Sequence, residues 1–172
     1  MKQIENAALR ARLGLRDRIQ PRRLFQGRQI ITLPHGTCVR TDCGTRRAES
    51  IGASDHLLTR TGGSAKVMAV RSRKAMVQTV RFVNPMADGG DQILPWDQPV
   101  LLRDWRAQAL FGQPQAVVPA YELVDGEHIC DLGMQMTELV VLEFARPHVI
   151  FAGGLELAAA AMQSTDDLRP AA

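Results

Sequence analysis

The sequence is poor in aromatic residues, in cysteine and in long apolar runs. Its 172 residues include one tyrosine, two tryptophans and five phenylalanines, so the core must be aliphatic and rich in methionine. Three cysteines, an odd number, fit a reduced protein better than a disulfide scaffold. No apolar run approaches the ~20 residues that span a bilayer, and the N-terminus lacks the apolar stretch of a secretory signal. We expect a soluble cytoplasmic protein with no membrane span.

Positive charge is concentrated at the N-terminal end of the chain. Residues 1–30 hold eight Lys and Arg residues against Glu5 and Asp17, a balance of +6. The formal net charge of the whole chain is only +3, so the remainder carries −3. The basic character therefore belongs to the leader, residues 1–29, and this distribution argues against a nucleic-acid-binding body. The leader also has only Phe25 to stack on a base.

The leader is predicted to be an amphipathic helix over residues 2–20, followed by a basic linker. Its apolar stripe, at three-to-four spacing, consists of Ile4, Ala8, Ala11, Leu15 and Ile19. Pro21 ends the helix. An isolated helix of this length is marginal in water, so we expect residues 2–20 to pack on the domain or on a protein partner.

Residues 30–157 are predicted to form one all-β domain, because short apolar stretches alternate with turn signals and no segment between residues 30 and 103 holds a helical period. The clearest strands are expected at 67–70, 77–83, 99–103, 115–118, 127–130, 137–144 and 149–151. A short helical turn is expected at 105–111, closed by Gly112. The expected core positions are Val39, Ile51, Leu58, Val80, Leu101, Val118, Leu142 and Ile150. Residues 158–172 are expected to be a frayed helix or a disordered tail.

Four blocks of the body occur in an order that is typical of one family. The first, residues 33–63, holds Gly36-Thr37, an Asp42-Cys-Gly44 hairpin and Leu58-Thr59. The others are residues 94–103, 118–126 and 142–155. Together they resemble the hedgehog/intein (Hint) domain, as found in bacterial Hint-domain-containing proteins. The resemblance implies a flattened, horseshoe-like disc of many short strands.

The resemblance also implies a self-processing site. Hint domains break the peptide bond before a Cys or Ser, whose side chain attacks the upstream carbonyl, while a Thr-x-x-His motif orients the amide and protonates the leaving nitrogen. Counting back from Gly36-Thr37 places the nucleophile between Ile31 and Leu33, where only Thr32 carries a hydroxyl.

The residues that should carry this chemistry depart from the family pattern. The histidine of the Thr-x-x-His block aligns with Gln98, which can donate a hydrogen bond but cannot transfer a proton. His148 occupies the place of the family's closing-strand histidine. Inteins end in His-Asn, and residues 153–157 stand there instead. Thr32, Gln98 and His148 are thus vestigial catalytic positions.

Three functions remain open from the sequence. The one we favour is a Hint domain without autoprocessing activity that acts as a binding or scaffold domain, and so is not an enzyme. The second is an N-to-S/O acyl shift with cleavage near residue 32. The third is binding of an anionic surface or nucleic acid through the Arg-rich leader.

A zinc site is the other chemistry that residue spacing suggests. His35, Cys38, Cys43 and His56 have a spacing that superficially allows tetrahedral ligation. Metal sites usually draw ligand pairs from tight knuckles, however, and Cys43 is predicted at a hairpin tip while Cys38 is predicted in a strand. We therefore expect no metal and no cofactor.

Overall fold

The structure is a computed structural model that describes residues 27–85 and 90–162. Its strands are β1 (Gln29–Pro34), β2 (Cys38–Thr41), β3 (Gly44–Arg47), β4 (His56–Leu58), β5 (Ser64–Lys66), β6 (Ala69–Phe82), β7 (Gln92–Pro95), β8 (Pro99–Leu102), β9 (Ala116–Pro119), β10 (Ile129–Phe144), β11 (Val149–Ala152), β12 (Leu155–Ala158) and β13 (Ala160–Ala161). A helix at Trp105–Phe111 and 3₁₀ turns at Ala48–Ser50 and Ala120–Leu123 lie between strands. The leader helix predicted at 2–20 lies outside the described residues.

The strands form two antiparallel sheets. The first has five strands in the order β13-β1-β10-β6-β7. The second has eight strands, in the order β5-β4-β2-β11-β12-β8-β9 with β3 paired to β2. Apolar side chains from both sheets share one core, which includes the fully buried Leu33, Leu94 and Leu142. The prediction of a mainly β fold is confirmed, and the sheet curls as a half-barrel.

β6 and β10 are the longest strands, and they pair along nearly their whole length. We call this pair the central ribbon. The sequence predicted two separate strands in each of these regions, with breaks at 71–76 and 131–136. Both breaks are wrong, because each strand is continuous through them.

Cross-strand partners explain why the polar middle of the central ribbon stays extended. The Lys74 ammonium lies 3.4 Å from the Glu138 carboxylate on the opposite strand. A bulge between Asp131 and Gly133 shifts the register, and the Gly133 N–H donates to the Asp131 carboxylate at 2.7 Å. Polar residues and a glycine that indicate a loop in the sequence are here accommodated by an ion pair between strands and by a bulge within β10.

Most of the predicted core positions are confirmed. The buried ones are Val39, Ile51, Val80, Val118, Leu142 and Ile150. The predictions at Leu58 and Leu101 are wrong: Leu58 is exposed and Leu101 is half-buried, whereas their neighbours Leu57 and Leu102 are buried. When two leucines are adjacent in a short strand, the sequence does not show which of them faces the core. An error of one residue in this assignment turns every side chain to the other face.

The β structure continues beyond residue 157, where the sequence predicted a tail. Ala158 ends β12, and Ala160–Ala161 forms β13, which pairs with the start of β1. The Met162 N–H then donates to the Arg28 carbonyl at 2.9 Å. An alanine-rich run favours helix by propensity, but pairing with β1 overrides that preference here. Residues 163–172 lie outside the described part of the chain.

The predicted helical turn at 105–111 is confirmed and capped at both ends. The Asp104 side chain accepts from the Arg106 N–H, and Gly112 ends the helix in the left-handed conformation with φ 66°. Among the described residues no helix is long and apolar enough to cross a membrane.

Candidate functional site

Thr32 lies in the middle of β1, a strand that has β10 along one side and the short β13 beside its first residues on the other. It pairs with Val141 of β10, and two residues before it Ile30 pairs with Ala160 of β13. The flanking Ile31 and Leu33 are fully buried in the core. The peptide bond between Ile31 and Thr32 is therefore held within a sheet.

Gln98 lies in the turn between β7 and β8, and its side chain reaches this peptide bond. Its Oε1 accepts from the Thr32 N–H at 2.9 Å. Its Nε2 donates to the carbonyls of Pro99 and Ala158, each at 3.0 Å. Gln98 is only 4% exposed. We call these three hydrogen bonds the Gln98 bridge.

The partners of the Gln98 bridge fix the orientation of the carboxamide. If the two ends were exchanged, the amide nitrogen would face the Thr32 N–H, donor against donor. The oxygen would face two carbonyl oxygens, acceptor against acceptor. An acceptor therefore sits at the nitrogen of the Ile31–Thr32 bond.

The structure brings Thr32 and Gln98 together as the sequence alignment implied. Among Ile31, Thr32 and Leu33, Thr32 is the residue whose backbone N–H donates to Gln98. The alignment found this neighbour because the family motif gave its register. It missed Ala158, because a backbone carbonyl carries no residue-type signal.

His148 lies nearby but makes different contacts. Its ring packs edge-on against Phe144, with centroids 6.0 Å apart, and its carbonyl accepts from the Ala159 N–H at 2.9 Å. Burial, and secondarily the charge of Arg146, lowers the pKa of His148 below its ordinary value. In the described part of the chain no hydrogen bond or ring contact joins this imidazole to Thr32 or Gln98.

The four residues with zinc-like spacing make separate side-chain and backbone contacts. His35 Nδ1 is 3.4 Å from Glu138, and His56 pairs with Lys66 on β5. Cys38 and Cys43 are both exposed, and a hydrogen bond with Asp42, together with the charge of that carboxylate, raises the pKa of the Cys43 thiol. Within residues 27–85 and 90–162 no group of three or more His, Cys, Asp or Glu side chains could hold a metal ion.

One buried charge was not found from the sequence. Glu143 is almost fully buried on β10, with Arg28 at 3.2 Å and Arg71 at 2.7 Å from its two oxygens. Arg28 lies just before β1, so this carboxylate holds the point where the leader meets the sheet. A lone glutamate in an apolar strand was the only available signal.

The comparison that decides the family is a match over most of the chain. A family model described as "Hint domain" matches residues 31–162, which begins one residue before Thr32 and includes β13. The chain belongs to the Hint-domain family. The Hint match and the part of the chain that the structure describes both extend to residue 162.

Solved structures similar to this Hint domain include inteins. The gp41-1 intein is 16% identical, with a TM-score of 0.47, over 77% of this chain and 98% of that one. A bacterial intein-like domain from Clostridium thermocellum is 14% identical, with a TM-score of 0.49, over 76% of this chain and 99% of that one. No curated protein matches the chain significantly.

Proposed function

We propose that this Hint domain does not process itself and serves as a binding or scaffold domain. The observation that carries the proposal is the Gln98 bridge, in which an oxygen acceptor occupies the place at the Thr32 nitrogen where self-cleavage needs an acid. The same three hydrogen bonds tie β1 to the turn before β8 and to the end of β12. Residue 98, which stands where the family has its catalytic histidine, would thus stabilise the fold.

The chemistry of an acyl shift explains why this acceptor matters. The Thr32 oxygen would form a bond with the Ile31 carbonyl carbon, the C–N bond would break, and the leaving nitrogen would take up a proton. Gln98 has no proton to give at that nitrogen, because its oxygen faces it. Accepting from the N–H also favours the resonance form with a C–N double bond, which keeps the amide planar and unreactive.

The Thr32 hydroxyl is not activated as a nucleophile either. A threonine hydroxyl is a weak nucleophile at neutral pH and needs an adjacent base to take its proton. No hydrogen bond joins the Thr32 hydroxyl to any described residue. His148, whose imidazole is of a type that could act as a base, contacts Phe144 instead.

Intact mass, measured under denaturing conditions on purified full-length protein, tests the proposal. We expect the mass of the full sequence, with or without Met1, even after incubation with excess thiol. Appearance of two pieces, residues 1–31 and 32–172, would instead support residual self-processing at Thr32.

A pair of substitutions tests the chemistry directly. Thr32→Cys with Gln98→His should restore cleavage, whereas each change alone should be nearly silent, because nucleophile and acid act as one unit. The matched control combines Gln98→His with Thr45→Cys, which adds a thiol on β3, in the other sheet. Equal cleavage in this control would show that the thiol at residue 32 is not the attacking group.

We also propose that the protein resides in a reducing compartment, such as a bacterial cytoplasm. What supports it is that Cys38, Cys43 and Cys130 are all free thiols in the fold. Counting alkylated cysteines on protein trapped directly in cells should give three modified residues. A stable intermolecular disulfide in freshly lysed cells would contradict it.

A further inference from the structure

An apolar cleft opens at one end of the central ribbon, beside the point where the leader enters the domain. Its volume is about 340 Å³, and its lining consists of Arg28, Met68, Ala69, Glu143, Phe144 and Ala145. Of these lining residues, Met68 is 54% exposed, whereas Phe144 is buried. We call this the Arg28 cleft. A cleft of this volume with a mostly apolar lining has room for one more large apolar side chain.

The chain itself is fixed at the rim of the Arg28 cleft. The Arg28 guanidinium lies 3.2 Å from the buried Glu143 carboxylate, and the Arg28 carbonyl accepts from the Met162 N–H at 2.9 Å. Phe25 is three residues upstream, so its Cα lies within about 11 Å of the Arg28 Cα, whatever path the chain takes. The tether gives this side chain a high effective concentration at the cleft.

We propose that the Arg28 cleft binds the side chain of Phe25. Phe25 is the one aromatic residue in the leader, and a ring placed there would contact the Met68 sulfur and methyl group, a favourable pairing. The Arg28–Glu143 ion pair closes the polar side of the cleft and leaves the apolar side for the ring. The inference does not depend on whether Thr32 is catalytically active.

Binding of Phe25 changes how the leader is attached to the Hint domain. β1 holds the chain from Gln29 onwards, and Phe25 adds a second attachment four residues earlier. The C-terminal end of the helix predicted at 2–20 would then be tethered close to the domain surface. Its apolar stripe is presented to a partner or to the domain in a restricted set of directions.

Methyl NMR on full-length protein with labelled methionines tests the proposal. The Met68 methyl resonance, assigned with Met68→Leu, should be shifted upfield by the Phe25 ring. That shift should disappear in Phe25→Leu, which keeps an apolar side chain but removes the ring current. The exposed Met76, Met134 and Met136 lie on the middle of the central ribbon and should not move, which makes them internal controls.

Two outcomes of the NMR experiment would overturn the proposal. The first is a Met68 resonance that is identical in the wild type and in Phe25→Leu. The second is an upfield shift that grows with protein concentration, which would assign the cleft to a second copy of the chain. Trypsin gives an independent measurement: Phe25→Ser should speed cleavage after Arg23 several-fold and leave cleavage after Arg12 unchanged. Equal rates after Arg23 in the two proteins would also contradict the proposal.

Discussion

Gln98 uses every polar atom of its side chain inside a buried site. Replacing it with methionine keeps the volume but leaves the Thr32 N–H and the Ala158 carbonyl without their partner. Because a buried group without a partner costs about 1–3 kcal/mol, we expect Gln98→Met to lower the free energy of unfolding by about 3 kcal/mol. Urea denaturation measures this change.

The matched control is Gln78→Met on the central ribbon. The Gln78 side chain makes only exposed hydrogen bonds, both to Asp131, so its loss should cost well under 1 kcal/mol. If the two substitutions had equal effects, the Gln98 bridge would not be a stabilising element.

His148 gives the Hint domain a pH dependence with a defined sign. Burial lowers its pKa in the folded protein below the ordinary 6.5, so the unfolded chain takes up a proton more readily. The contribution of His148 to stability is therefore complete above pH 6.5 and is lost as the pH falls through the lowered pKa.

Unfolding free energies at several pH values test this, with His148→Gln as the comparison. The wild type should lose stability relative to the variant as the pH drops below 6.5. Parallel curves for the two proteins across this range would show that His148 does not titrate differently in the folded and unfolded states.

For this single residue, the sequence predicted the position of Gln98 but not its role. The alignment with a family histidine placed residue 98 beside the amide of the nucleophile's position, and the structure puts it at Thr32. The direction of the carboxamide depends on the carbonyls of Pro99 and Ala158, which come together only in the folded chain. Residue types alone cannot specify such backbone partners.

Among the elements, the hairpin that joins β11 to β12 has the tightest steric requirement. Gly153 and Gly154 form its two-residue turn with φ of 58° and 78°, as hairpins of this kind demand. A Cβ on Gly153 would overlap the Gln92 side chain. Gln92 cannot easily move away, because its Nε2 donates to Thr37 Oγ1 at 3.1 Å and to the Ile93 carbonyl at 2.7 Å.

We therefore expect Gly153→Ala to destabilise the fold more than the same change at Gly112. Gly112 has a similar φ of 66° but open space around its Cα, so Gly112→Ala should cost only about 1 kcal/mol, the backbone strain alone. Gly153→Ala should cost about 2–4 kcal/mol, since overlap in a packed site adds to that strain. Thermal unfolding of the two variants measures the difference.

A second substitution identifies the cause of the extra destabilisation in Gly153→Ala. Gln92→Ala should recover part of the loss in Gly153→Ala and none of the loss in Gly112→Ala. If Gln92→Ala helped neither variant or both equally, overlap with Gln92 would not be the source of the extra cost.

The elements that the sequence predicted best are those whose signals are local. The helix at Trp105–Phe111 has its Asp104 cap and Gly112 stop within the segment itself. The middle of the central ribbon was missed because its polar residues are satisfied by partners about sixty residues away, such as Lys74 by Glu138. Local composition therefore indicated loops where tertiary pairing produces strand.

For the whole molecule, one shared core predicts one cooperative transition. Apolar residues from both sheets belong to the same buried cluster, and Trp96 packs against it and stacks on Tyr121 with centroids 5.3 Å apart. Tryptophan fluorescence and far-UV circular dichroism should therefore report the same midpoint in urea.

Trp105→Phe is the control for this measurement. Trp105 is 74% exposed, so it should contribute little to the change in fluorescence, and the variant should keep the wild-type midpoint by both probes. Separate midpoints for the two probes would indicate that the sheets unfold independently.

The position of β1 within its sheet has a consequence for synthesis on the ribosome. Among the described strands β1 leaves the exit tunnel first, yet its pairing partners in β10 and β13 are more than one hundred residues downstream. The first strand must therefore remain unpaired until nearly the whole domain has been translated, and its exposed edge is then open to chaperones. The contacts around Thr32 also need Gln98 and Ala158, so this site can assemble only after the last strands have emerged.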